Sequence, residues 1–261
     1  MKGQPSTGNP VIATLKRRGF KVLTYNPKDY LIFPPGWDIV FEDALYEILK
    51  KYSFRIFIRD VIKNRKSFRV DDLLKYSTKQ WVEKYIDFLL KRGIVEEIGE
   101  ARFRLKSPAV FSFGDTLEWF VAKVFEKEFT SPALWGMRLS GARAGGDYDV
   151  IAFLEGNLVY VEVKSSPPKN VEEVEIAAFL KRVEELRPKM AIFIEDTKLR
   201  MKDKIVPFFE GLLKKKGLKV KRLKNELFSV EGKVFITNSS PDIVNNLGFC
   251  IRQYLQPKEF W

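Results

Sequence analysis

Asp149 and Glu162 stand thirteen residues apart, and Lys164 follows Glu162 by two. Asp149–Leu154 and Leu158–Lys164 read as two strands joined at Glu155-Gly156-Asn157, a hairpin signal. Folding about that turn brings Asp149 opposite Glu162 or one position off it. Side-chain alternation puts Glu162 and Lys164 on one face. The strand Tyr160-Val161-Glu162-Val163-Lys164 is otherwise apolar, and its two charges do nothing for a strand that only has to fold. Two carboxylates plus a main-chain carbonyl, such as that of Val163, suit a hard divalent ion with oxygen ligands. Such an ion binds a phosphate oxygen and acidifies a bound water. Lys164 beside that water orients it or helps deprotonate it, and offsets charge in the transition state. Asp147, two residues before Asp149 on the same face, is the competing ligand. Asp149 is preferred because it abuts the apolar strand Val150–Leu154.

The side chains that are missing narrow the chemistry further. The 261 residues include no histidine and one cysteine, Cys250. Histidine-based triads, His-ligated zinc and multi-cysteine metal sites are therefore excluded, as is an intramolecular disulfide. Carboxylates, lysine and hydroxyls remain. The chain carries 46 basic and 34 acidic side chains, a net charge of +12 and a pI near 9.5. That balance points to a polyanionic partner, nucleic acid first. The charge is unevenly spread: +9 over residues 1–110, −3 over 111–210 and +6 over 211–261. An acidic middle between basic flanks suits a carboxylate site framed by surfaces that hold a polyanion. No segment approaches the ~18 uninterrupted apolar residues of a membrane span, and MKGQPSTGNP lacks an apolar signal region, so a cytoplasmic protein without membrane association is expected.

The elements that must position these residues follow from periodicity. Residues 10–35 give little beyond a short strand at Gly19–Leu23 and a break at Pro34-Pro35-Gly36. Helices are predicted from Asp38, over 54–63 and over Val70–Tyr76. The next helix, Thr78–Arg92, has Trp81, Val82, Tyr85, Ile86, Leu89 and Leu90 on its apolar side, with Lys79, Gln80, Glu83 and Lys84 facing away. A basic hairpin follows, Ile94–Ile98 with Ala101–Leu105. Beyond it come a helix to Phe129, a strand and Gly/Ala-rich loop over Trp135–Gly146, the hairpin above, a helix Val171–Leu186 and a strand Met190–Ile194. The C-terminal part reads as a helix 202–216, strands at 219–223, 227–230 and 233–237, and a last helix that starts at Ser240-Pro241. The fold class is α/β, a mixed central sheet flanked by helices. The expected domains are an N-terminal extension (1–37), a helical domain (38–110) and an α/β domain with a basic C-terminal extension (111–261).

Asp149, then Glu162-Val163-Lys164, resembles the PD-(D/E)xK nuclease superfamily, nearest to the archaeal Holliday-junction resolvases and Mrr-like restriction-endonuclease-like proteins. The resemblance covers roughly residues 114–197. Tyr148 stands where the family name has proline, a substitution frequent in that superfamily. The resemblance implies a restriction-endonuclease-like fold and a DNA endonuclease that uses Mg²⁺ (or Mn²⁺) held by Asp149, Glu162 and Val163. It implies Lys164 as catalytic lysine, Glu118 as a further catalytic acid on the preceding helix, and Ser165 as the polar residue after the lysine. It also implies a homodimer that cuts two strands. Arg138, Ser140 and Arg143 lead into the motif where a substrate phosphate docks. Residues 38–106 resemble a winged helix-turn-helix in the order of their elements. That likeness implies that the Thr78–Arg92 helix, with Lys79, Gln80 and Lys84, enters a major groove while Arg102, Arg104 and Lys106 touch phosphates. The alternatives are a non-cleaving DNA-binding protein, an adaptor that grips a protein through the winged helix, and an RNA target.

Overall fold

The computed structural model describes residues 8–256, and the reversal expected at Glu155-Gly156-Asn157 is a turn in its main sheet. Glu155 and Gly156 have φ of 46° and 74°, the left-handed pair that matches the twist of a tight hairpin. In chain order the elements are α1 (Pro10–Arg17), β1 (Lys21–Thr24), α2 (Ile39–Leu49), α3 (Tyr52–Lys63), a 3-10 segment (Val70–Tyr76), α4 (Lys79–Lys91), β2 (Val95–Glu97), β3 (Phe103–Leu105) and α5 (Gly114–Phe129). Then come β4 (Ala133–Ser140), β5 (Tyr148–Leu154), β6 (Asn157–Lys164), a 3-10 turn (Pro168–Asn170), α6 (Glu173–Leu186), β7 (Met190–Glu195), α7 (Ile205–Lys214), β8 (Val220–Lys224), β9 (Leu227–Val230), β10 (Val234–Asn238) and α8 (Ile243–Leu255).

These elements fall into two compact units. One contains the described residues up to Asn26 and from Val121 onward, and the other is Pro27–Phe120. The first holds an eight-stranded mixed sheet in the order β1-β4-β5-β6-β7-β10-β9-β8, with helices against it. This is the expected α/β class. Strand β1 pairs antiparallel with β4, so part of the N-terminal segment belongs to the large sheet. Strand β6 pairs antiparallel with β5 and parallel with β7. All but its end residues are buried, as befits a central strand covered on both faces. One core face joins α1 (Val11, Leu15), α6 (Ile176, Phe179) and α7 (Phe209) to Ile151, Leu158, Tyr160 and Phe193 of the sheet. Rings step through it at centroid spacings of 5.5 Å (Tyr148–Tyr160), 5.7 Å (Tyr160–Phe179) and 5.6 Å (Phe179–Phe193). The core therefore presses α6 onto β6, and this fixes what α6 can present to Glu162.

In the second unit, α2, α3 and the 3-10 segment precede α4, and the β2–β3 hairpin follows, in the order expected. The apolar side of α4 is narrower than the sequence suggests. Val82, Tyr85, Ile86 and Leu89 are buried, whereas Trp81 and Leu90 are 46% and 36% exposed. The four buried residues fall at i, i+3, i+4 and i+7, one helical stripe, and Trp81 and Leu90 flank it. Lys51 and Lys84 cover the Trp81 ring at 5.9 and 4.9 Å from its centroid.

Other boundaries differ from the expected ones. Helix α1 is not visible in the sequence pattern because eight residues give barely two turns, although Asn9 caps it through Val11 N and Pro10 opens it. The last helix is capped by Asp242, which accepts from Asn245 N at 2.8 Å, and not by Ser240. Helix α7 starts at Ile205, later than expected, and Glu226 takes the amides of Met201 and Lys202 ahead of it. Helix α6 starts at Glu173, where Glu172 and Glu175 form a capping box.

Leu89→Ala is expected to cost about 2–5 kcal/mol of stability, as a truncation in a packed interior. Trp81→Ala is expected to cost about 1 kcal/mol, mainly its cation–π contacts. Denaturant melts of the two variants check the narrower apolar face.

Candidate active site at the open end of the β5–β6 hairpin

The last backbone pair of the hairpin is Val150 with Val161. One step further the Asp149 carboxylate accepts a hydrogen bond from the Val163 amide at 2.7 Å, which ties the end of β5 to β6. Glu162 lies beside it, 2% exposed. Two cations reach the Glu162 carboxylate: Lys164 at 3.0 Å and Arg182 of α6 at 3.0 and 3.2 Å. The Tyr160 hydroxyl donates to the same carboxylate from two residues back on the same face. Lys164 also reaches Glu175 of α6 at 3.2 Å. The structure therefore brings Asp149, Glu162 and Lys164 together at the carboxyl end of β6, where open α/β sheets place their ligands.

The electrostatics follow from burial. A carboxylate taken out of water needs charged or hydrogen-bonding partners. Glu162 has three. Tyr160 is held well above the ordinary phenol range by burial and by the charge of Glu162, so its hydroxyl stays a donor. Burial works against the charge of Lys164, but Glu162 and Asp149 outweigh it and the lysine is held above its ordinary value. Lys164 is thus an ammonium at neutral pH, suited to orienting water and offsetting negative charge. Two acids, Glu162 and Glu175, balance two cations, Lys164 and Arg182. Asp149 is the surplus acid. Burial and repulsion by Glu162 push its pKa up to about 8, so at neutral pH it holds a proton. A divalent cation can take the place of that proton, and the two hard carboxylates fit Mg²⁺ or Mn²⁺ by donor chemistry. Among the described residues, no group of three acidic, cysteine or histidine side chains makes a metal cage, so the remaining ligands would be main chain, substrate or water.

The other expected residues divide. Asp147 is taken by Arg138 in a two-point ion pair at 2.8 and 3.2 Å. That pair occupies both the competing ligand and one expected phosphate contact. The Arg143 backbone amide donates to Glu185, while its side chain is exposed. Ser140 is exposed at the end of β4, and Ser165 is half-buried just past β6. Glu118 lies on α5 within the Pro27–Phe120 unit. Lys79, Gln80 and Lys84 are exposed on α4. Arg104 pairs across the hairpin with Glu96 at 2.5 Å, and Arg102 donates to Ser67 at 3.1 Å.

Sequence reasoning missed Arg182 and Glu175. The signal was present: both fall on the stripe of α6 that carries Ile176 and Phe179, where an amphipathic helix has no use for a charge. Arg182 also donates to the Gly145 carbonyl at 3.3 Å. Gly146 has φ +75°, and a Cβ there would come within 2.6 Å of the Arg182 guanidinium, so the Gly145-Gly146 pair lets the loop approach this arginine.

The sheet and the helices against it define a mixed α/β fold. Two of the solved structures that share it are informative. One is protein VC1899 from Vibrio cholerae, with a TM-score of 0.54 and 13% identity, covering 94% of this chain and 60% of its own. The other is Can2 from Sulfobacillus thermosulfidooxidans in complex with cyclic tetra-adenylate, with a TM-score of 0.52 and 17% identity, covering 97% of this chain and 61% of its own. This chain thus spans about three-fifths of the length of each neighbour. No family model matches the chain, and no curated protein is similar to it.

Because folding raises the proton affinity of Asp149, its contribution to stability is full below the ordinary carboxylate range and is lost as pH climbs through about 8. In chelator, the melting temperature of the wild type is expected to fall more between pH 5 and pH 9 than that of Asp149→Asn. Parallel slopes in thermal melts would contradict the assignment.

Proposed function

We propose that the chain is a metal-dependent nuclease of the PD-(D/E)xK type that hydrolyses phosphodiester bonds in DNA. The observation that carries this reading is the convergence of Asp149, Glu162 and Lys164 on one buried, charge-rich end of the β5–β6 hairpin. Asp149 and Glu162 would hold Mg²⁺ or Mn²⁺, with the Val163 carbonyl as a further ligand. The ion, when bound, supplies an acidified water and polarises the scissile phosphate. Lys164 keeps its proton and aims it at the oxygen where negative charge develops. Arg182 and Tyr160 hold Glu162 in place. Ser165, Ser140 and Arg143 would line the approach of the strand. Residues 38–106, read as winged-helix-like, would position the duplex through Lys79, Gln80, Lys84, Arg102 and Arg104. A homodimer would allow both strands to be cut. No helix among the described residues is long and apolar enough to cross a membrane.

The test is cleavage of plasmid, single-stranded, four-way-junction and RNA substrates with Mg²⁺ or Mn²⁺, each with and without cyclic tetra-adenylate. The wild type should yield product on at least one substrate. Glu162→Gln and Lys164→Met should lose about 100-fold or more in rate with DNA affinity near normal. Absence of product on every substrate would favour a non-cleaving DNA-binding protein, and absence of DNA binding would favour an adaptor.

A further inference from the structure

A second feature is an open cleft of about 830 Å³ lined by the end of α1, the 141–146 loop and the last turns of α6. Its charged lining consists of Arg18, Arg143, Lys181, Arg187 and Lys189 against Glu184 and Glu185. Both acids are already engaged. Glu184 pairs with Lys216. Glu185 accepts from the amides of Arg143 and Ala144 and from the Tyr148 hydroxyl at 3.2 Å, and the first two of these bonds, opposed by burial, leave it below the ordinary carboxylate range. Arg18 is spent on the carbonyls of Leu186 and Arg187, where it closes the end of α6. Among the described residues no ion pair or hydrogen bond holds the side-chain cations of Lys181, Arg187 and Lys189. They converge on one cleft, and such a group is an electrostatic trap for an anion.

The cleft is joined to the active site through α6. Arg182 and Glu185 lie one turn apart and hold the same loop from two ends: Arg182 by the Gly145 carbonyl and Glu185 by the two amides. Arg182 is also the residue that holds Glu162. We propose that this cleft is a second anion site, which takes a phosphate-bearing chain beside the catalytic carboxylates. With the function proposed above, that chain is the sugar–phosphate backbone of the substrate leaving the hairpin end. The shared chemistry, a polyphosphate or phosphodiester, also fits a free ligand, and the experiment separates the two.

The experiment is equilibrium binding in EDTA, so that it reads out whether or not the protein cleaves. The probes are a short DNA duplex and inorganic tripolyphosphate. The variants are Lys181→Ala/Arg187→Ala/Lys189→Ala and, as an equal charge loss elsewhere, Lys219→Ala/Lys221→Ala/Lys224→Ala. Thermal melts check that both fold. The cleft variant should bind duplex at least about tenfold more weakly, with the salt slope lower by about 0.9 for each phosphate no longer neutralised, while the control stays near wild type. Loss of tripolyphosphate binding alone in the cleft variant would support the site and assign it to a free ligand. Wild-type binding of both probes by the cleft variant, or an equal loss in the control, would overturn the proposal.

Discussion

A carboxylate placed inside a sheet has to be compensated, and in this protein Glu162 sets that demand. At 2% exposure its charge would be prohibitive without Arg182, Lys164 and the Tyr160 hydroxyl around it. The rest of the site follows from supplying those partners. Arg182 must come from α6, so α6 must lie along β6, and the Tyr160–Phe179–Phe193 ring contacts hold it there. Lys164 must stay charged, and Glu175 helps it do so. Asp149 is then one negative charge too many, and burial and the charge of Glu162 raise its proton affinity.

This arrangement costs stability at neutral pH, and a protein that only needed to fold would fare better with apolar residues at these positions. Preorganised, partly desolvated charges are instead what a site for phosphate chemistry requires, because they act on developing charge without rearranging. The same helix carries the site outward. Arg182 holds the Gly145 carbonyl and Glu185 the Ala144 amide, so one helix ties the 141–146 loop at two points.

Much of this was legible in the sequence because it depends on short-range geometry. The Glu155-Gly156 turn fixes the hairpin register, and the register fixes Asp149 against Glu162. Alternation then places Lys164. What was not legible depends on contacts between distant segments. The attachment of Lys21–Thr24 to the edge of the sheet is one such case. The pairing of Asp147 with Arg138 is another, since only the geometry of β4 against β5 decides which aspartate remains for the site. Arg182 carried a local signal, a charge on an apolar stripe, but its target could be known only once α6 was laid on β6. The exposure of Trp81 shows the converse: a large apolar residue near a helical stripe need not be core when lysine ammonium groups sit over its ring.

The most direct test of a metal seat between the two acids is a crystal grown with Mn²⁺ and measured by anomalous scattering. One anomalous peak is expected within about 2.0–2.3 Å of oxygens from both Asp149 and Glu162, and it should vanish in Asp149→Asn. Density in which Lys164 and Arg182 keep both Glu162 oxygens, with no peak between the two acids, would contradict it and leave the cluster as a buried ion-pair network.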